Sequence, residues 1–274
     1  MIFIYAIMGI LGLLIIGYLW CIMPGKIDYN TREKIKPFTE TYIAHRGLFD
    51  LKLSIPENSI PAFKRAVEYG YGIELDVRLT KDEVLVVFHD DTLLRMCGVA
   101  KKVSELTYEE LQEYTLQKTD CHIPKFSEVL KVVKKETPLV IEIKSVKGDR
   151  RTAPYLDKEL ENFDGTYCIE SFHPLEIRWY KINRPEVVRG ILTSKYTRKI
   201  THVDPMVLNV FSRPQFIAYN YKMAHSAKFT FMRTVYEFYN AAWTIKNQKT
   251  IEEIKDVVQI FIFDSFIPED RKVE

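Results

Sequence analysis

Several features that whole protein classes depend on are missing from this chain. Across 274 residues, 39 basic and 37 acidic side chains leave a formal charge of only +2, so no single-sign field exists to draw in a polyanion, and no nucleic-acid partner is expected. The four cysteines, at positions 21, 97, 121 and 168, include no Cys-x-x-Cys pair. That argues against a zinc ribbon or a disulfide framework and for reduced, mostly buried thiols. Glycine (11) and proline (12) are sparse and no low-complexity run occurs, which excludes fibrous and disordered chains. One large globular domain is the reading left.

Charge is absent altogether from Ile2 to Met23, a stretch of 22 residues. As a helix it would reach about 33 Å, enough for a hydrocarbon core of about 30 Å. Residues 1–23 are therefore expected to form a single transmembrane helix that ties the protein to a membrane. A cleaved signal peptide is the alternative, but the segment lacks a basic leader and a small-x-small cleavage site. Tyr5, Tyr18 and Trp20 suit the two interfaces, and Lys26, Arg32, Lys34 and Lys36 place the main domain in the cytoplasm by the positive-inside rule. Residues 24–40, with Pro24, Gly25 and Pro37, read as a linker.

Beyond residue 40, short β-branched runs alternate with amphipathic stretches. Eight strands are expected, at 41–45, 72–77, 138–143, 166–171, 187–192, 206–210, 240–244 and 259–263, with helices at 59–69, 152–162, 174–182, 213–223 and 250–256. Eight strands with helical crossovers in residues 41–274 predict an α/β fold of the (β/α)8 TIM-barrel type, with a doubly wound sheet as alternative. The run at 84–88 follows the second strand too closely to be its parallel neighbour. It reads instead as the return arm of a hairpin over 74–90 that turns near Lys81-Asp82 and brings His89 level with Glu74 and Asp76. Residues 91–137 then form a small helical insertion, with helices near 108–115 and 126–135.

Polar residues at the carboxyl ends of barrel strands line the active mouth. Here the ends carry His45 and Arg46, Glu74 and Asp76, His89, and Glu142 and Lys144. Glu74, Asp76 and Glu142 alternate with apolar neighbours, so period-two geometry points all three into the barrel. Three buried like charges repel, and one oxygen-seeking divalent cation, Mg2+ or Ca2+, removes that cost. Pairing of each acid with Arg46, Arg78 or Lys144 is the alternative. Either histidine alone would pass for a satisfied, half-buried side chain, whereas the two together suit a general acid and base. Arg46 and Lys144 suit a phosphate, and Gly47 permits a positive φ or a close backbone approach.

The pieces HRG (45–47), PENS (56–59), IELDVRLTKD (73–82), VVFHD (86–90) and Arg95 run in order, followed by IPKFSEVL (123–130), IEIK (141–144), SF (171–172), WTIK (243–246) and FDSFIP (263–268). In this order they resemble the glycerophosphodiester phosphodiesterase family, which shares its barrel with phosphatidylinositol-specific phospholipase C. The resemblance implies metal-dependent hydrolysis of glycerophosphodiesters to glycerol 3-phosphate and an alcohol, with a substrate hydroxyl attacking phosphorus. It makes His45 and His89 the acid-base pair, Glu74, Asp76 and Glu142 the metal ligands, and Arg46 and Lys144 the phosphate contacts. Glu57 and Asn58 fall near the metal and substrate, although Asn58 also suits a helix N-cap. Trp243 suits either the substrate pocket or core packing. The chain departs from the family pattern at Asp82-Glu83, Lys246, Phe263-Asp264 and through 194–239. His122, His173, His202 and His225 match no motif and read as ordinary surface or core residues. A lysophospholipid substrate, cleaved by a lysophospholipase D or a phospholipase C-type enzyme, is the second reading. A catalytically inactive, membrane-anchored binding protein is the alternative from another class.

Overall fold

A computed structural model of the chain describes residues 1–145, 149–194 and 205–269, so His202 lies outside the described residues. Nine strands make one sheet: β1 (Ile43–His45), β2 (Gly72–Leu79), β3 (Leu85–Val87), β4 (Leu139–Ile143), β5 (Tyr167–Ser171), β6 (Arg189–Thr193), β7 (Phe216–Asn220), β8 (Tyr239–Ile245) and β9 (Ile260–Phe263). Eight of them follow one another as parallel neighbours, and β1 pairs with both β2 and β9 to close the ring. This is a (β/α)8 barrel. β3 stands outside the ring, antiparallel to β2, with Val77 opposite Val87 and Leu79 opposite Leu85. The hairpin is therefore present, and Phe88 N donates to Asp76 O at 2.9 Å, which sets His89 over the acidic strand end.

One expected strand is corrected. Residues 206–210 belong to two short helical segments, Pro205–Leu208 and Asn209–Ser212, and β7 lies within the stretch expected as helix 213–223. Met206, Asn209 and Ser212 are all buried, a three-residue spacing that fits a helix face rather than a strand. Phe216 to Tyr219 are buried without interruption, as in a parallel strand covered on both sides. The insertion is also less helical than expected. Its helices are single turns at Leu94–Cys97, Tyr108–Leu111 and Phe126–Leu130, and most of its apolar residues gather in a small core of their own around Phe88, Leu93 and Leu111.

The expected linker is a second correction. Tyr29–Glu40 forms helix α2, capped by Asp28, whose carboxylate accepts from Thr31 N and Thr31 Oγ1, each at 2.8 Å. Ile35 and Phe38 are fully buried against Ile43, Val140, Cys168, Phe216, Ala241 and Ile260 at the start of the barrel strands. Pro37 gives up a helical N–H, costing about 3 kcal/mol. Burial of two large apolar side chains, at roughly 1.5–3 kcal/mol each, offsets that loss. The helix plugs the barrel floor.

α1 (Ile2–Ile22) is the expected apolar helix, long and apolar enough to cross a membrane, and exposed along nearly all its length. Its last turn is fastened to the barrel. Tyr236 OH donates to Leu19 O at 2.7 Å, Asn209 Nδ2 to Ile22 O at 2.8 Å, and Arg213 Nη1 to Trp20 O and Met23 O at 2.8 and 2.7 Å. Gly25 N donates to Pro214 O at 2.7 Å, and a Cβ at Gly25 would come within 2.4 Å of Arg213 O. Only glycine fits that close approach.

Candidate active site

Alternation along the strands divides the barrel interior into two layers. Ile43, Val140, Cys168 and Ile262 line the apolar lower layer with α2. Two residues further along the same strands or just past them stand His45, Glu142, Glu170 and Asp264, and β2 adds Glu74 and Asp76. The upper layer is thus strongly acidic and opens at the carboxyl end of the barrel.

Glu74, Asp76 and Glu142 are buried and each offers an oxygen within 4.8 Å of the others. Asp76 Oδ1 and Glu142 Oε1 are buried without a hydrogen bond. Lys144 Nζ lies 3.2 Å from the first and 2.6 Å from the second. Burial and the neighbouring Asp76 and Glu142 push Glu74 well up. Burial also lifts Glu142 to about 7, with Lys144 opposing. Burial acts the same way on Asp76, but Lys144, His89 and Arg46 outweigh it and keep that group far below the ordinary carboxylate range. Lys144 and Arg46 therefore offset only part of the repulsion, and this donor set could hold a divalent cation.

Each imidazole is held at Nδ1 by a carboxylate. His45 Nδ1 lies 3.3 Å from Asp264 Oδ2, and His89 Nδ1 lies 2.6 Å from Asp90 Oδ1. That leaves both Nε2 atoms for other partners, and His45 Nε2 is 3.9 Å from Glu74 Oε2. Burial lowers both rings, His89 to about 4, against the opposing pull of Asp264 on His45 and of Asp76 on His89. Arg78 fixes the second ring from behind, donating from Nε and Nη2 to His89 O at 3.0 and 2.8 Å.

The turn after β1 is strained and held by its contacts. Arg46 and Gly47 have φ of 57° and 79°, which costs a non-glycine residue of order 1–3 kcal/mol. In return Arg46 N donates to Glu74 Oε2 at 3.0 Å, and Arg46 O accepts from Asn58 N at 2.9 Å. Asn58 also has a positive φ, 53°, and its Nδ2 donates to Asp76 Oδ2 at 2.8 Å. It is not the N-cap of the following helix α3 (Ile60–Glu68). Ser59 fills that position, its Oγ accepting from Ala62 N. Glu57 lies behind the mouth and joins Arg46 Nη1 at 2.7 Å to Arg95 Nη2 at 2.6 Å, while Arg95 Nε reaches Asp90 at 2.6 Å.

His45, Arg46, Glu74, His89, Glu142, Lys144 and Trp243 share one cavity of about 210 Å3. Trp243 lines this cavity and also packs in the barrel. It packs edge-on to Phe172 at 5.9 Å, and its buried Nε1 has no hydrogen-bond partner among the described residues. Four contributors receive no role of their own from the sequence: Asp264, Asp90, Arg95 and Glu170. Glu170 lies directly across from Glu142 on β5, lines the same cavity and is pushed well up by burial and by Glu142. The period-two rule that found Glu142 would also have found it, two places after Cys168.

The family model described as the Glycerophosphoryl diester phosphodiesterase family matches residues 45–264. The chain belongs to this family. A glycerophosphodiester phosphodiesterase of Caldanaerobacter subterraneus subsp. tengcongensis is 39% identical over 162 residues, 55% of this chain and 65% of that protein. A lysophospholipase D of Rattus norvegicus is 35% identical over 146 residues, 48% of this chain and 44% of that protein. The chain thus spans less than two thirds of the length of either relative. A phosphodiesterase of Oleispira antarctica, solved in complex with the product sn-glycerol-3-phosphate, superposes with a TM-score of 0.68 over 82% of this chain and 92% of its own, at 20% identity. That likeness concerns the fold.

Proposed function

We propose that this member of the family hydrolyses glycerophosphodiesters to glycerol 3-phosphate and an alcohol. The observation that carries the reading is the pair of carboxylate-held imidazoles flanking three buried acids in one cavity. Glu74, Asp76 and Glu142 would hold a divalent cation, Mg2+ or Ca2+, and when bound it supplies charge neutralisation at the phosphoryl oxygens. Arg46 and Lys144 bind and orient the phosphate, the first as a planar fork and the second as a point charge. One imidazole takes the proton from a glycerol hydroxyl as that oxygen bonds to phosphorus. The other gives a proton to the departing alcohol oxygen. Water then opens the cyclic phosphate with the two rings in exchanged roles. Asp264 and Asp90 hold each ring at Nδ1 so that Nε2 is the atom that exchanges protons.

The cavity of about 210 Å3 is below the roughly 300–1,000 Å3 of a site for a drug-sized ligand, which favours a small polar substrate. A lysophospholipid reading draws on a neighbouring groove of about 350 Å3 that runs from Gly47 and Asp264 past exposed Leu51 and Ile267. Product analysis, with and without Mg2+ or Ca2+, separates the readings: glycerophosphocholine would yield glycerol 3-phosphate and choline, whereas lysophosphatidylcholine would yield lysophosphatidic acid and choline by D-type cleavage or phosphocholine by C-type cleavage. Turnover of neither substrate by a folded, metal-loaded chain would leave only the inactive binding protein.

α1 is read as a retained membrane anchor, with the barrel on the cytoplasmic side. The bonds from Asn209, Arg213 and Tyr236 to its last carbonyls support retention, because a cleaved leader would leave those donors facing water. Extraction of the chain from membranes by alkaline carbonate, but not by detergent alone, would count against an integral span.

A further inference from the structure

A second polar cavity, of about 380 Å3, lies at the opposite end of the barrel from the mouth. The segment that leaves α1, the first turn of α2 and the approaches to β6 and β7 enclose it. Lys26, Arg189 and Arg213 line it.

Arg189 is 6% exposed, yet its guanidinium meets only main-chain oxygens. Nε donates to Ser212 O, and Nη1 to Pro185 O and Val187 O, all at 3.3 Å. Among the described residues it has no carboxylate partner. Arg213 resembles it, donating to two carbonyls of the α1 terminus while its guanidinium lies 4.9 Å above the Trp20 ring. Lys181 stands nearby, and burial and the charges of Arg213, Arg189 and Arg178 lower its pKa. Two acids also line the cavity, Asp28 and Glu186. The Asp28 carboxylate is committed to Thr31 as the cap of α2, and Glu186 gives its main-chain oxygen to Lys34 Nζ at 2.7 Å.

A buried guanidinium without a counter-ion carries a desolvation penalty of several kcal/mol. A phosphate is the group whose geometry a guanidinium fork matches best, and the positive end of α2 adds to the attraction. Position selects the source of that phosphate. The cavity opens beside Met23, one residue past the end of the apolar helix, at the depth where lipid head groups begin.

We propose that this cavity binds the phosphate of an anionic phospholipid head group, held by Arg189, Arg213 and Lys26 against the end of α1. The proposal rests on the membrane reading of α1. The lipid would bridge anchor and barrel, so that the barrel is fixed to its leaflet at two points.

The test uses the full chain, expressed in membranes and purified in a neutral detergent. Native mass spectrometry measures the lipids retained from an equimolar mixture of phosphatidylglycerol and phosphatidylcholine. Retention of phosphatidylglycerol in about tenfold preference is expected, falling to near parity in Arg213→Gln and Lys26→Gln. Arg189→Gln risks the barrel floor, so Arg189→Lys, which keeps the charge and loses the fork, is the informative change there, with an intermediate preference expected. Hydrolysis at the distant mouth reports that each variant is folded. Equal retention of the two lipids by a membrane-bound wild-type chain would overturn the lipid site and leave the anchor standing. So would a preference that survives Arg213→Gln and Lys26→Gln, or equal protection against heat by inorganic phosphate alone. A chain recovered without membranes would overturn the anchor reading and the lipid site with it.

Discussion

His45 ends the first strand of the barrel and Asp264 directly follows the last, and their side chains meet at 3.3 Å across the seam where the ring closes. Barrel closure and orientation of the His45 ring are therefore the same event. General acid-base groups contribute about 10²–10⁴ in rate, so His45→Gln and His89→Gln should each lower kcat/KM for glycerophosphocholine by that order. Asp264→Asn, which removes only the orienting charge, should cost less, about 10–100-fold by analogy with other groups that hold a ligand or base in place. Wild-type rates in Asp264→Asn, measured as glycerol 3-phosphate release, would remove the orienting role.

The three acids should behave as one cation site. Adding Mg2+ or Ca2+ to chelator-treated protein should raise its thermal midpoint, because an ion that binds only the folded state stabilises it by mass action. Glu142→Gln should abolish most of that rise. An equal rise in wild type and variant would place the ion elsewhere.

Gly47 is the residue that the strained turn cannot exchange. Its φ is +79°, and a Cβ there would sit 3.0 Å from Ala62 and Phe63. Gly47→Ala is expected to destabilise by about 1–3 kcal/mol, read as a lower thermal midpoint, and to reduce turnover if Arg46 next to it binds the phosphate as proposed. Unchanged stability would mean that the turn relaxes freely.

The floor plug gives a fourth prediction. Ile35 is fully buried, and Ile35→Ala should cost about 2–5 kcal/mol, as large-to-small changes in a packed core do. Lys36→Ala, on the exposed side of the same helix, should fall within about 0.5 kcal/mol of wild type. Equal effects in the two variants would show that α2 does not seal the barrel.

The barrel and most of the mouth were legible because period two dominates the chemistry. Val140 and Glu142, or Ile43 and His45, share a face whatever surrounds them, so alternation alone assigns them to the interior. Where local pattern and tertiary burial compete, the reading failed. Met206 to Val210 is a β-branched run that packs as helix, and Phe216 to Asn220 is a strand without alternation because both faces are covered. Pro37 suggested a linker, and nothing local signals that Ile35 and Phe38 have a barrel floor to fill. Asp264 and Asp90 lacked any reading of their own because their partners are histidines already accounted for. Arg95 gains its meaning through Glu57, which is distant in sequence and adjacent in space, and through Asp90.

The fastening of α1 to the barrel limits how the protein can be cut. A fragment starting at residue 37 would discard Ile35 and open the floor, and one starting at 24 would strip Asn209, Arg213 and Tyr236 of the oxygens they now serve. Water-soluble versions for crystallisation or assay should therefore begin before Asp28 and carry polar replacements at the surfaces that α1 now covers.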